Sequence, residues 1–281
     1  MRKIIVTADD YGMSQAVNEA INKGIDAGTI TSTNVMTNMP YYKEAVELRK
    51  RKNISIGIHW VLSCGSPVLN IKEIPSLVND QGEFFSYSEF RSRFRKGKIN
   101  YGEIKKELLA QYNLFFELLG KPDYWNTHQN THVDFGLYQF IVKCAAELGI
   151  NMMRSHQRIY VPSSSGIKKR PLTWRILEPI KAGVLSDWQN KAHKIGLKSP
   201  DGVIVCLNPE DVSDLKYMFN NIEWKDKRVG EFVIHPAVRN DSRYFGKITK
   251  KRIDEYKLFS DSGVLDIVRT SKVQLVNFDE V

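Results

Sequence analysis

The stretch IIVTADDYGMS, Ile4–Ser14, runs an apolar segment straight into two adjacent carboxylates, Asp9 and Asp10. Its first part, KIIVTA (3–8), has the profile of a buried strand, and Ser14 is a natural cap for a helix over 14–28 that stops near Gly28. Neighbouring carboxylates repel unless a proton or a cation sits between them, so the end of this strand calls for a partner. Strand followed by helix is also the repeating unit of an α/β sheet.

Working outward, the same alternation continues. Strands are expected at 32–38, 55–61, the start of 124–134, 151–155, 202–207, 230–236 and 273–278. Helices are expected at 42–52, 102–120, 136–149, 209–221 and about 248–262. Residues 63–100 read as loop, and 156–200 show no clear period, which suits a lid or an insertion. Spacing of about thirty residues per unit in the first half predicts a parallel α/β sheet or a (β/α) barrel. No Pro/Gly-rich linker divides the chain, so residues 1–281 are read as one domain.

Composition narrows the setting. The 281 residues carry a formal net charge of +9, which favours acidic partners. The Lys and Arg residues cluster at KKR (168–170) and KITKKR (247–252), without zinc-finger spacing, a basic zipper or an aromatic RNA-binding pattern, so no nucleic-acid partner is expected. No apolar run is long enough to cross a bilayer, and MRKIIVTADD is not a signal peptide, so no membrane partner is expected either. The three cysteines, Cys64, Cys144 and Cys206, form no C-x-x-C pair, and a reducing cytoplasm is the expected compartment.

Polar chemistry gathers where strands end. Asp9 and Asp10 close the first strand, His59 the third, and His128 and His132 the strand after the long helix, while Arg154 and His235 close later ones. Barrels assemble catalytic groups at the C-terminal strand ends, so these residues are expected on one rim. The i,i+4 spacing of His128 and His132 lacks the glutamate of H-E-x-x-H; on a strand both rings share a face, one ligating metal and the other further along the pocket. A carboxylate and two neutral imidazoles make a normal zinc site, a second carboxylate can take a proton from water, and a histidine opposite can protonate a leaving group. Metal-assisted hydrolysis follows, and Tyr11, Trp60, Tyr124 and Trp125 are candidates to stack on a substrate ring.

The segments TADDYGMS, GTITSTNVM (28–36), IGIHWVLSCGSPV (56–68), FELLGKPDYWNTHQNTHV (116–133), GINMMRS (149–155) and EFVIHPA (231–237) together resemble the YdjC-like carbohydrate deacetylases, which include chitooligosaccharide deacetylases, in order and spacing. The resemblance implies a distorted (β/α) barrel of the glycoside hydrolase/deacetylase superfamily type. It implies Asp10, His59 and His128 as ligands of a divalent metal, zinc or magnesium. By analogy with the wider polysaccharide deacetylases, Asp9 is the implied general base, His235 the general acid and Arg154 the group that orients Asp9. His132, Asn130, Tyr11 and Trp60 are the candidate substrate contacts. The implied reaction removes the N-acetyl group from a GlcNAc-type sugar or oligosaccharide by attack of a metal-activated water, and the family's habit implies a homodimer. Rival readings are a metal-dependent phosphohydrolase and a non-catalytic sugar-binding protein on the same scaffold. The family's segment D-S-H-x-H-V-H is NTHQNTH here, with Asn126 in the Asp position and Asn130 in that of the middle histidine. If that Asp fixes a ligand histidine's tautomer, Asn126 does so without charge.

Overall fold

Every residue of Ile4–Tyr11 is buried, because β1 (Arg2–Tyr11) lies in the middle of a parallel sheet. A strand covered on both faces has no solvent side, which explains a continuous apolar run rather than an alternating one. The computed structural model describes residues 1–162, 172–205 and 209–281, the side chains of 172–179 and of Lys247 lying outside the description. The expected KKR cluster at 168–170 and Cys206 therefore fall outside the described residues.

From β1 the chain turns through α1 (Gln15–Asp26), whose N-cap Ser14 accepts from Val17 N at 3.3 Å, into β2 (Ser32–Val35). The segment expected as a helix at 42–52 is a 3₁₀ helix, Tyr42–Lys50. Its buried residues, Ala45 and Leu48, are three apart, so a three-residue turn keeps both against the core, and no side chain caps its start. Next come β3 (Ser55–Trp60), α2 (Tyr87–Arg95), α3 (Tyr101–Leu119), β4 (Trp125–Thr127) and α4 (Leu137–Glu147). The supposedly irregular 156–200 stretch supplies β5 (Arg158–Tyr160) and α5 (Leu172–Lys194). After β6 (Gly202–Val205), α6 (Val212–Asn220) and β7 (Val229–Ile234), the single expected helix near 248–262 is two, α7 (Thr249–Phe259) and α8 (Gly263–Thr270), before β8 (Val273–Leu275). The break is local: Asp261 Oδ1 accepts from Gly263 N at 2.8 Å, a side-chain turn that competes with helical bonding.

The strands follow the order β4-β3-β2-β1-β7-β6-β5, all parallel, and β8 pairs with the N-terminal end of β1. Trp125 of β4 also bridges Met153 in parallel, and Met152 bridges Lys198. The segment that leads into β5 therefore runs beside β4, and the sheet curls round on itself as the expected distorted (β/α) barrel. Residues 151–155 contribute these bridges rather than a full strand.

One contact fixes the packing between β3 and β4. Tyr124 is fully buried, stacked on Phe278 with ring centroids 3.8 Å apart, and its ring lies against Gly57. A Cβ at Gly57 would meet that ring at 2.6 Å. Gly57→Ala is expected to cost about 1–3 kcal/mol by overpacking, read as a lowered denaturant midpoint with unchanged slope.

Candidate active site at the C-terminal rim

Adjacent residues on a strand point to opposite faces, so Asp9 and Asp10 should diverge. They do not, because Asp10 adopts φ 75° and the β1–β2 register shifts between Ala8 and Tyr11. This bulge re-aims the second carboxylate, and both line one cleft of about 550 Å³ at the C-terminal ends of the strands. Aspartate tolerates the left-handed conformation better than most residues, which makes it suited to the position.

Each carboxylate has its own cation. Arg154 grips Asp9 with both ends of its fork, Nη1 to Oδ2 and Nη2 to Oδ1, each at 2.7 Å. Its Nε and Nη2 also donate to Glu231 Oε1 at 3.0 and 2.9 Å. Burial alone would raise the Asp9 carboxyl, but Arg154 outweighs it and holds the group well below the usual carboxylate range. Burial pushes the Glu231 carboxyl up despite Arg154, so the single guanidinium serves the charge on Asp9 first. Asp10 is likewise held low against burial, chiefly by Arg252, whose Nη2 donates to Oδ2 at 2.5 Å. Arg252 itself lies over the ring of Phe245, 4.6 Å from its centroid.

Asp10 Oδ1 faces two imidazoles, with His59 Nε2 at 3.3 Å and His128 Nδ1 at 3.1 Å. The three ligand atoms lie within 4.8 Å of one another and all three residues are buried. One carboxylate oxygen and two ring nitrogens converging this closely fit a divalent cation in donor type and spacing. Burial opposes charge on His128, but Cys64 and Asp10 beside it move its pKa up to about 10, so a cation there competes with a held proton. The other nitrogen of His59, Nδ1, meets the side-chain amide of buried Asn126.

His235 stands beside Asp9, its Nε2 3.7 Å from Oδ2. Its backbone N–H donates to Glu255 Oε2 at 2.7 Å, which fixes where the ring enters the cleft. Burial draws its pKa down to about 4, with Asp10 and Asp9 pulling the other way, and its Nδ1 has no partner among the described residues.

The structure thus brings together Asp9, Asp10, His59, His128, Arg154 and His235, and Asn130 stands exposed at the same rim. It separates four other expectations. His128–Asn130 is a 3₁₀ turn with Gln129 and Asn130 at positive φ, so His128 and His132 do not share a strand face. His132 bonds Thr127 Oγ1 at 2.6 Å and His156 Nε2 at 2.8 Å and does not itself line the cleft. Tyr11 and Trp60 are fully buried, Trp60 donating to Leu108 O at 3.1 Å, and neither reaches the cleft. Tyr124 and Trp125 are core residues too, and the cleft's aromatic lining comes instead from Tyr244 and Phe245.

Sequence reasoning passed over Arg252, Glu231, Asn34 and His156. Arg252 was hidden in a lysine-rich cluster that reads as solvated surface, yet it is 1% exposed. His156, a cleft residue held by His132 and by Gln189 Oε1 on its backbone N–H at 2.7 Å, follows Arg154 by two and sat at the start of the stretch without periodicity.

A sequence profile of the YdjC-like protein family matches residues 3–270. The chain is 26% identical over 286 residues to the carbohydrate deacetylase of Brevibacillus brevis, with 99% of each chain covered. It is 35% identical over 211 residues to the carbohydrate deacetylase of Halalkalibacterium halodurans, covering 73% of this chain and 83% of that one. Among solved structures, that of a candidate cellobiose-phosphate cleavage protein from Enterococcus faecalis V583 superposes with a TM-score of 0.76 at 23% identity, covering 99% of this chain and 98% of that one. That likeness is one of fold, and it extends across the whole barrel.

Proposed function

This chain belongs to the YdjC-like protein family, and we propose that it is a carbohydrate deacetylase that hydrolyses the N-acetyl group of a GlcNAc-type sugar or oligosaccharide. The observation that carries the reading is the pairing, in one cleft, of the Asp10–His59–His128 donor cluster with a separately held carboxylate, Asp9, and the imidazole of His235.

Asp10, His59 and His128 would hold a divalent cation, and two imidazole ligands favour zinc over magnesium. Such a cation supplies Lewis acidity toward a carbonyl oxygen and toward water. The remaining steps belong to the chain's own groups. Arg154 keeps the Asp9 carboxylate ionised and fixed in orientation, ready to take a proton from the attacking water. Water oxygen adds to the amide carbon, the C–N bond breaks, and the amine nitrogen needs a proton as it departs. Asp9 is a weak base and does not keep the proton; His235, 3.7 Å away, is the neighbour placed to carry it to the leaving nitrogen. Tyr244 and Phe245 offer apolar faces against which a sugar ring can lie.

We take residues 1–281 as one catalytic unit. Among the described residues no helix is long and apolar enough to cross a membrane. Cys64 and Cys144 are free thiols, which supports a reducing, cytoplasmic setting.

His235→Gln tests the proton path. Acetate release should fall about 10²-fold or more with zinc content unchanged. Full activity in that variant would remove His235 as the donor.

A further inference from the structure

Asn126 is buried between two groups of opposite demand. One end of its amide meets His59 Nδ1; the other faces Arg154 and Asn34. An amide has one accepting end and one donating end, so its orientation decides what each neighbour receives. With the nitrogen toward His59, the amide oxygen accepts from Arg154 Nη1 at 3.1 Å, Arg154 Nη2 at 2.9 Å and Asn34 Nδ2 at 3.0 Å. Turned the other way, the amide nitrogen would confront those same three donors in a buried site, with no bond made.

That orientation has a consequence for His59. A donor aimed at Nδ1 requires that nitrogen to be the acceptor, which puts the ring proton on Nε2. Nε2 lies 3.3 Å from Asp10 Oδ1, so the proton has a place to go, and the chain Asn126–His59–Asp10 closes on itself. A cation bound by Asp10, His59 and His128 needs the Nε2 lone pair instead. The ring proton must then move to Nδ1, and the Asn126 amide must turn its nitrogen toward Arg154 and Asn34.

We propose that Asn126 is a positioning residue that holds His59 in the tautomer unable to bind a metal, so that cation capture requires an amide flip and is weakened by its cost. The proposal rests on the reading of Asp10, His59 and His128 as the cation site. A carboxylate at 126 has two accepting oxygens and serves His59 Nδ1–H and Arg154 together, with no flip.

The test uses the chain of residues 1–281, with zinc alone as the probe, and two readouts. Long-range ¹H–¹⁵N spectra of histidine-labelled, zinc-free protein, assigned with His59→Gln, should show His59 protonated on Nε2 and switching to Nδ1 as zinc is added. Asn126→Asp should show the Nδ1-protonated ring before zinc is added and should bind zinc about 10–100-fold more tightly in a chelator competition. A His59 already protonated on Nδ1 in the zinc-free parent overturns the proposal, and that measurement needs no variant to fold. Equal zinc affinity of parent and variant also overturns it, as does tighter binding without the change of tautomer, which would be a charge effect. Failure of both proteins to bind zinc would instead overturn the cation site itself, and the proposal with it.

Discussion

Asp9→Asn is expected to slow acetate release by about 10²–10⁴-fold with zinc stoichiometry unchanged, and to lower the melting transition because buried Arg154 loses its counter-charge. The substitution is isosteric and keeps an oxygen for one arm of the Arg154 fork, which now makes two contacts at 2.7 Å. It removes the negative charge and the capacity to accept a proton, and it sets an amide nitrogen against the other arm of the fork. Asp9 is not among the three converging ligand residues, so its loss should separate from that of Asp10. Asp10→Asn, by contrast, should lose the cation and the activity together. A rate for Asp9→Asn within a few-fold of the parent would show that the proton from water goes elsewhere.

Arg154→Ala is expected to damage the fold as well as the chemistry. Arg154 is 6% exposed and is the shared donor to Asp9 and Glu231, themselves 3% and 0% exposed. Removing one member of a buried ion pair leaves an uncompensated charge, a loss on the order of 3–5 kcal/mol. Denaturant unfolding should register this as a lower midpoint. Arg154→Lys keeps a positive charge but cannot reproduce the two-pronged grip, so it should recover much of the stability and little of the rate. Recovery of both would mean that the charge of Arg154 matters and its geometry does not.

The legible and the illegible parts of this chain differ for physical reasons. β1, α1 and β3 could be read because each is buried by a continuous apolar pattern or marked by a cap such as Ser14. α2 could not, since Phe90 is its sole buried residue and no apolar period exists to detect, although Ser86 and Glu89 spell a capping box at its start. In α5, Gln189 occupies an inward position between Leu185 and Ala192, and a polar residue there breaks the pattern. That Asp9, Asp10, His59, His128, Arg154 and His235 share one cleft was legible because rare residue types fell at strand ends. That His132, Tyr11 and Trp60 lie off the cleft was not legible, because sequence spacing does not reveal the backbone turn at Gln129 and Asn130 or the depth of an aromatic ring. Arg252 was invisible: a buried cation at the end of a lysine-rich run carries no mark in the sequence.

The central claim is that the rim of this barrel is a cation-dependent amide hydrolase. Its most direct test is acetate release from a panel of N-acetylated mono- and oligosaccharides by the chain stripped of metal, then refilled with zinc or magnesium. The account predicts no release from the stripped protein and restoration by a divalent cation, zinc more effectively than magnesium. Acetate release that persists in the stripped protein, or phosphate release from phosphorylated sugars with no acetate release from any N-acetylated one, would contradict it.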